Sequence, residues 1–130
     1  MAGITPHLWV SDMARSIAFY RDVLGFSVRR AEPAAAPTFA SLEHAGGGLM
    51  LSPYDELFNG WQTAIEAGRR RGQGGAVSFY IKATDIDADY DRAVAAGAKI
   101  VDPLGPRPWG QSEFTVADPD GFWWAFWKVV

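Results

Sequence analysis

The side chains that could take part in chemistry are few and are widely separated along the chain. The 130 residues include two histidines, His7 and His44, and no cysteine. The absence of cysteine excludes disulfides, thiolate metal sites and a cysteine nucleophile. No Ser–His–Asp or paired-carboxylate spacing indicates nucleophilic or acid–base catalysis. His7 is therefore interpreted as a hydrogen-bonding residue on the wall of a cleft, and a metal-free general base stays an open alternative.

The elements that must position these residues occur in the same order twice. The first half of the chain predicts a strand, a helix and three short strands, at residues 4–10, 11–25, 26–31, 38–44 and 48–52. Ser11 or Asp12 is the expected N-cap of the helix, and Gly25 ends it. The turn between the last two strands is expected at Gly46 to Gly48.

The second half repeats that order at residues 76–83, 84–97, 99–103, 113–117 and 122–127. Its helix is expected to begin at Thr84 or Asp85 and to end at Gly97. The chain is therefore predicted to be one α+β domain over residues 1–130, built from two tandem βαβββ modules. The first module covers about residues 1–54 and the second about 76–130. A connector at about 55–75 holds a short predicted helix at 61–67.

Residue parity gives the predicted sheets two faces of different character. The alternate residues of one parity are all apolar: Leu8, Val10, Leu49, Leu51, Phe79, Ile81, Phe114, Val116, Trp124 and Phe126. We expect them to pack under the helices. The other parity mixes aromatic and polar side chains: Thr5, His7, Trp9, Met50, Ser52, Ser78, Tyr80, Lys82, Glu113, Thr115, Trp123, Ala125 and Trp127. That mixture is typical of a small-molecule cleft, and a dimer interface is the alternative.

Composition and charge exclude several classes of partner. Hydrophobic residues make up 48% and aromatic residues 14% of the chain, which indicates a globular protein. The net charge is −3, and Arg69 to Arg71 form the only basic cluster, so nucleic-acid binding is not expected. No apolar run reaches membrane-spanning length, and the first residues lack the pattern of a secretion signal. A soluble cytoplasmic protein without a membrane partner is therefore expected.

Two segments carry a resemblance to a known family. The run VSDMARSIAFYRDVLGF near the start and the run WGQSEFTVADPDGFWW near the end are similar to motifs of the vicinal oxygen chelate superfamily. That superfamily contains glyoxalase I, extradiol dioxygenases, fosfomycin-resistance enzymes and bleomycin-resistance proteins. The resemblance covers essentially the whole chain. It implies that the two sheets curl into a cup with the helices outside, and that the protein is a homodimer.

The resemblance also implies where a divalent metal would bind. Its four ligand positions on the cup floor fall on Thr5, Met50, Ser78 and Ala125 of this sequence. These residues are weak ligands or none, so we expect neither a metal nor another cofactor. A shifted mononuclear site that uses His7 with Glu113 or Glu43 stays open.

Without a metal, the chain most resembles the bleomycin-resistance type within the superfamily. This implies a binding protein that sequesters a small aromatic molecule such as an antibiotic, which can be cationic. A glyoxalase- or dioxygenase-like enzyme with an atypical metal site is the alternative. The predicted ligand contacts are His7, Trp9, Phe39, Met50, Tyr80, Trp109, Glu113 and Trp123. Tyr54 and Trp61 contact the ligand or only hold the connector in place, and Lys82 is expected at the rim.

Overall fold

The computed structural model describes residues 3–53 and 77–130. The chain divides into two compact units, Met1–Arg71 and Gly72–Val130. Tyr54, Trp61 and the helix predicted at 61–67 lie outside the described residues. Within the described ranges, no helix is both long and apolar enough to cross a membrane.

Within residues 3–53, the first unit contains a four-stranded sheet and a helical segment. Its elements are β1 (His7–Val10), α1 (Met13–Ala18), a π-helical turn (Phe19–Val23), β2 (Ser27–Glu32), β3 (Phe39–His44) and β4 (Gly47–Pro53). The strand order in the sheet is β1-β4-β3-β2. β1 and β4 are parallel, and the other neighbours are antiparallel.

The second unit repeats this arrangement. Its elements are β5 (Ser78–Lys82), α2 (Ile86–Ala95), β6 (Lys99–Pro106), β7 (Gln111–Ala117) and β8 (Trp123–Val129). The strand order is β5-β8-β7-β6, which matches the first sheet position by position. β5 and β8 are parallel, as β1 and β4 are. The predicted α+β class and the repeated βαβββ order are confirmed.

The two helices in the described ranges, α1 and α2, both have an aspartate as N-cap. The Asp12 carboxylate accepts a hydrogen bond from the backbone N–H of Arg15 at 3.0 Å, and Asp85 accepts one from Ala88 at 3.1 Å. Each bond satisfies a donor that the first helical turn leaves without a partner. Of the two expected candidates at each helix start, the aspartate is therefore the N-cap.

The first helical segment departs from the regular helix expected over residues 11–25. After α1 the backbone widens, and the N–H of Leu24 bonds to the carbonyl of Phe19, five residues back. Tyr20 and Leu24 are both completely buried. The wider turn accompanies the packing of these two side chains in the core. Helix propensity alone does not predict such packing.

The β3–β4 turn lies one residue earlier than expected. Ala45 and Gly46 both have positive φ angles, of 47° and 85°, and His44 pairs with Gly47 across the hairpin. Two consecutive residues with positive φ make the tight hairpin turn whose twist matches that of the strands. Gly47 and Gly48 are therefore strand residues, and placing the turn at Gly46 to Gly48 was wrong.

The apolar parity forms the packed face of each sheet. Nine of the ten residues predicted for this face are buried: Leu8, Val10, Leu49, Leu51, Ile81, Phe114, Val116, Trp124 and Phe126. The tenth, Phe79, is half-buried and packs against Trp124 with 4.7 Å between ring centroids. α1 lies against β4, and α2 lies against β6, β7 and β8. The predicted split into two faces is confirmed, and the other parity forms the helix-distal face of each sheet.

Candidate functional site

The helix-distal face of the first sheet carries a stacked pair of rings. On β1, the rings of His7 and Trp9 are stacked with centroids 3.9 Å apart and an angle of 25° between planes. Across the parallel pair with β4, His7 lies opposite Met50 and Trp9 lies opposite Ser52. His7 Nε2 and Ser52 Oγ share a hydrogen bond of 2.9 Å. We call His7, Trp9, Phe39 and Met50 the first-sheet wall.

Burial disfavours a positive charge on the imidazole of the first-sheet wall. Burial lowers the pKa of His7 below its ordinary value of 6.5, because a buried site disfavours the charged form. The Phe39 and His7 rings are nearly perpendicular, with 6.3 Å between centroids. The Arg30 guanidinium lies 5.8 Å from the Phe39 centroid and pairs with Glu32 at 3.0 Å. The wall is therefore a mainly flat and neutral surface with an ion pair at its margin.

The helix-distal face of the second sheet carries a buried acid beside two aromatic residues. Glu113, on β7, is 3% exposed. The indole N–H of Trp109 donates a short hydrogen bond to Glu113 Oε2, and the charge of the same carboxylate acts on the Tyr80 hydroxyl. Yet Trp109 is 62% and Tyr80 56% exposed. We call Tyr80, Trp109 and Glu113 the acid–aromatic cluster.

The electrostatics of Tyr80 reflect this contact. Desolvation is the largest cause that raises the pKa of Tyr80 above its ordinary value of 10.0. The negative charge of Glu113 raises it further. Tyr80 therefore stays protonated and keeps its hydroxyl available as a donor across the physiological range.

Trp123 extends the aromatic surface along β8. It lies opposite Ser78 on β5 and Ala117 on β7, and it is 46% exposed. Tyr80 lies opposite Ala125, two residues further along β8. Side chains two residues apart on a strand point to the same face. Trp123 and Tyr80 are therefore diagonal neighbours on the helix-distal face.

Arg107 holds the loop that carries Trp109, and sequence analysis missed it. Its guanidinium pairs through Nη2 with Asp102 at 2.8 Å. The same Nη2 also approaches the carbonyls of Pro103 at 2.9 Å and Glu113 at 3.1 Å, and Nη1 donates to the carbonyl of Gly105 at 2.8 Å. Only 14% of the Arg107 side chain is exposed. The available signal was an arginine inside the proline-rich run PLGPRPWG. Prolines interrupt regular strand pairing there, and the carbonyls left unpaired need other donors.

Lys82, expected at the rim, and Glu43, a candidate for the shifted metal site, both have charged or aromatic partners. Lys82 Nζ lies 5.5 Å from the centroid of the Trp127 ring, with which Lys82 is paired across β5 and β8. Glu43 shares a face with Phe39 and forms an exposed ion pair with Arg29 at 3.4 Å. Glu43 therefore adds little uncompensated negative charge to the first-sheet wall.

The residues at the four implied metal positions do not fit a divalent metal. In the first sheet, Met50 faces His7 across the strand pair, and Thr5 precedes β1. In the second, Ala125 faces Tyr80, and Ser78 begins β5. A thioether, a methyl group and two neutral hydroxyls do not replace the imidazole and carboxylate ligands that hold such ions. Among residues 3–53 and 77–130, no three histidine or acidic side chains are grouped as metal ligands.

The eight predicted contact residues lie in two groups. His7, Trp9, Phe39 and Met50 lie together on the first sheet, and Tyr80, Trp109, Glu113 and Trp123 lie together on the second. All eight lie on a helix-distal face or, for Trp109, on the loop beside it. Their role in ligand binding stays a prediction.

Comparison with protein families gives one match over nearly the whole chain. The model for the Glyoxalase/Bleomycin resistance protein/Dioxygenase superfamily matches residues 4–126. An uncharacterized protein of Mycobacterium bovis is 30% identical over 131 residues, which cover 98% of this chain and 83% of that protein. An uncharacterized protein of Mycobacterium tuberculosis is also 30% identical, with coverages of 98% and 74%.

Solved structures share the fold along the full chain. TioX from Micromonospora sp. ML1 has a TM-score of 0.76 at 26% identity, with all of both chains covered. A member of the Glyoxalase/bleomycin resistance protein/dioxygenase superfamily from Sphaerobacter thermophilus has a TM-score of 0.70 at 23% identity. That match covers 98% of this chain and 97% of the other.

Proposed function

The chain belongs to the Glyoxalase/Bleomycin resistance protein/Dioxygenase superfamily, and on that premise we propose that it is a metal-free binding protein. Its ligand is a small aromatic molecule, such as an antibiotic, that it sequesters. One observation carries this proposal: Tyr80, Trp109 and Trp123 expose their rings on one side of the second sheet, beside the buried Glu113. Aromatic walls with a few convergent polar groups are characteristic of small-molecule sites.

The exposed rings favour a planar partner. Water-exposed aromatic surface is unfavourable, and covering it with another ring recovers the hydrophobic free energy. Stacking adds roughly 0.5–1.5 kcal/mol for each aromatic pair beyond area burial. The first-sheet wall supports the same ligand class, since its neutral His7 stacked on Trp9 forms a flat surface.

The side chains on the helix-distal faces support binding more than catalysis. His7 and Ser52 form a base–hydroxyl pair, but Ser52 is buried. Within residues 3–53 and 77–130, no carboxylate hydrogen-bonds to His7 to orient it as a general base. A nucleophilic site requires that orienting group. The residues at the metal positions likewise do not support the chemistry of a metal-dependent glyoxalase or dioxygenase.

The proposal includes a homodimer as the functional state. Val129 and Val130, at the end of β8, are 67% and 77% exposed. Neighbouring exposed apolar side chains are frequent at interaction surfaces of soluble proteins. Symmetric homodimers are the commonest oligomers, and they bury such surface against an identical copy.

A binding assay with recovery of the ligand tests this function. The protein is titrated with a panel of aromatic antibiotics and metabolites, and quenching of its six tryptophans reports binding. We expect at least one saturable ligand that mass spectrometry recovers unchanged after long incubation. The same assay is repeated with added Ni, Zn, Mn or Fe and after chelation. Conversion of a ligand that depends on stoichiometric bound metal would overturn the proposal in favour of an enzyme.

A further inference from the structure

The carboxylate of the acid–aromatic cluster makes no ion pair with a lysine, arginine or histidine among residues 77–130. Arg107 approaches Glu113 only through the main-chain carbonyl at 3.1 Å and pairs its own charge with Asp102. Lys82 lies over the ring of Trp127, which is opposite Glu113 on β8. The hydrogen bond that the Glu113 side chain accepts comes from a neutral donor, the Trp109 indole.

The negative charge of Glu113 acts on the exposed aromatic surface beside it. A buried carboxylate is poorly screened by water, so its field extends further than that of an exposed acid. Trp109 donates its indole N–H to Glu113, and the Trp109 and Tyr80 rings are both exposed. Donating to a carboxylate polarises the indole and makes its ring faces more negative. A cation on the Trp109 ring face is then attracted by the ring and by the nearby carboxylate.

The same arrangement selects the kind of cation. Oε2 of Glu113 already accepts the Trp109 indole N–H, and the carboxylate is almost completely buried. A ligand cation therefore meets ring faces, where it has no need to donate a hydrogen bond. An ammonium ion with alkyl groups suits such a surface, because its methyl groups contact the rings and lose little hydration. A primary ammonium or guanidinium would lose hydration without regaining its hydrogen bonds.

We propose that the acid–aromatic cluster is a subsite for an alkylated ammonium group on the ligand. This deepens the proposed function, on which it rests, because it assigns the ligand a positive charge and places that charge beside Glu113. The aromatic part of the ligand then extends along the same face toward Trp123.

A pair of isosteric probes tests the subsite. Choline and 3,3-dimethylbutan-1-ol have the same shape and differ in one positive charge. Binding is followed by NMR through the indole N–H resonance of Trp109, which is assigned by its loss in Trp109→Phe. We expect choline to bind about tenfold more tightly than the neutral alcohol, a difference of about 1.4 kcal/mol. Equal affinities, or no saturable shift with choline, would overturn the inference.

Matched variants assign the preference to Glu113. Glu113→Gln keeps an oxygen that accepts the Trp109 indole bond but removes the charge, so the preference for choline should disappear. Glu43→Gln removes an exposed acid of the first sheet that pairs with Arg29, and it should leave the preference unchanged. Loss of the preference in both variants would overturn the assignment, because the preference would then depend on the net charge of the protein and not on Glu113.

The outcome separates this inference from the proposed function. If aromatic ligands bind saturably and are recovered unchanged while choline shows no preference, the ammonium subsite is wrong and the binding function stands. If choline is preferred in a Glu113-dependent way while an aromatic ligand is chemically converted, the subsite stands and the binding function is wrong.

Discussion

Trp109 donates its indole N–H to the Glu113 carboxylate although one side chain is mostly exposed and the other is almost completely buried. The bond joins a loop residue to the middle of β7 and fixes an aromatic ring at the edge of the sheet. The acid is thereby solvated by protein donors in place of water. This arrangement leads to predictions that separate ligand binding from folding.

Trp123 and Trp124 are adjacent in sequence and lie on opposite faces of β8. Trp123→Ala should weaken binding of a planar aromatic ligand by about tenfold or more, with a small loss of stability, because it truncates an exposed ring. Trp124→Ala should cost about 3–5 kcal/mol of unfolding free energy, because it opens a cavity under α2. Denaturant unfolding and ligand titration measure both effects. Equal stability losses in the two variants would contradict a ligand role for Trp123.

Trp9 should behave like Trp123 on the first-sheet wall. Trp9→Ala removes the ring that stacks on His7 at 3.9 Å. We expect affinity for an aromatic ligand to fall by about tenfold, with a smaller effect on stability than a core truncation. Val10→Ala, at the neighbouring buried position, is the matched control and should lower stability without lowering affinity per folded molecule. The opposite pattern would place Trp9 in the core.

Arg107 should act as a positioning residue for Trp109. Arg107→Gln removes the ion pair to Asp102 and most of the hydrogen bonds that hold the loop. The Trp109 indole N–H resonance should move toward that of a solvent-exposed indole, and ligand affinity should fall by about tenfold. Arg21→Gln breaks an exposed ion pair with Asp22 and should change neither readout. An unchanged Trp109 resonance in Arg107→Gln would refute the positioning role.

The Tyr80 hydroxyl should titrate above pH 10. Desolvation and the Glu113 charge hold its folded-state pKa above 10.0, so its contribution to stability is fully present below pH 10 and is lost as the pH rises through the folded pKa. Glu113→Gln should lower the pKa of Tyr80 but should not return it to its ordinary value, because the increase caused by desolvation stays. Phenolate absorbance measures the titration, and Tyr80→Phe identifies the signal. A Tyr80 pKa unaffected by Glu113→Gln would contradict the contact.

His7 should titrate below pH 6.5. Burial lowers its pKa in the folded state, so its stabilising contribution is present above pH 6.5 and is lost as the pH falls through the folded pKa. Trp9→Ala should raise the pKa of His7 toward 6.5, because it exposes the imidazole. NMR titration of the imidazole protons measures this, with His44 as the second resonance of the chain. A His7 pKa above 6.5 in the unmodified protein would contradict the burial of this ring.

The features that depend on neighbours along the chain could be predicted from the sequence. Asp12 and Asp85 were among the expected helix starts, and the alternating residues of β8 were assigned to the correct faces. Both follow from the short-range geometry of helix termini and strands. The one-residue error at Ala45 and Gly46 arose because the more familiar glycine run was favoured over an alanine with positive φ.

The contacts that make up the candidate site required the tertiary structure. Parity placed Tyr80 and Glu113 on one face, but it did not predict that the Trp109 indole reaches the Glu113 carboxylate. Their meeting depends on the pairing of β7 with β8 and on the path of the loop before β7. Two register shifts in the pairing of β6 with β7, on either side of Asp102, accompany the meeting of Asp102 with Arg107. Such shifts alter which residues oppose each other, and they are decided by contacts between distant segments that no local pattern encodes. Sequence thus determined the repeated elements and their apolar faces, whereas tertiary packing decided which polar groups find each other.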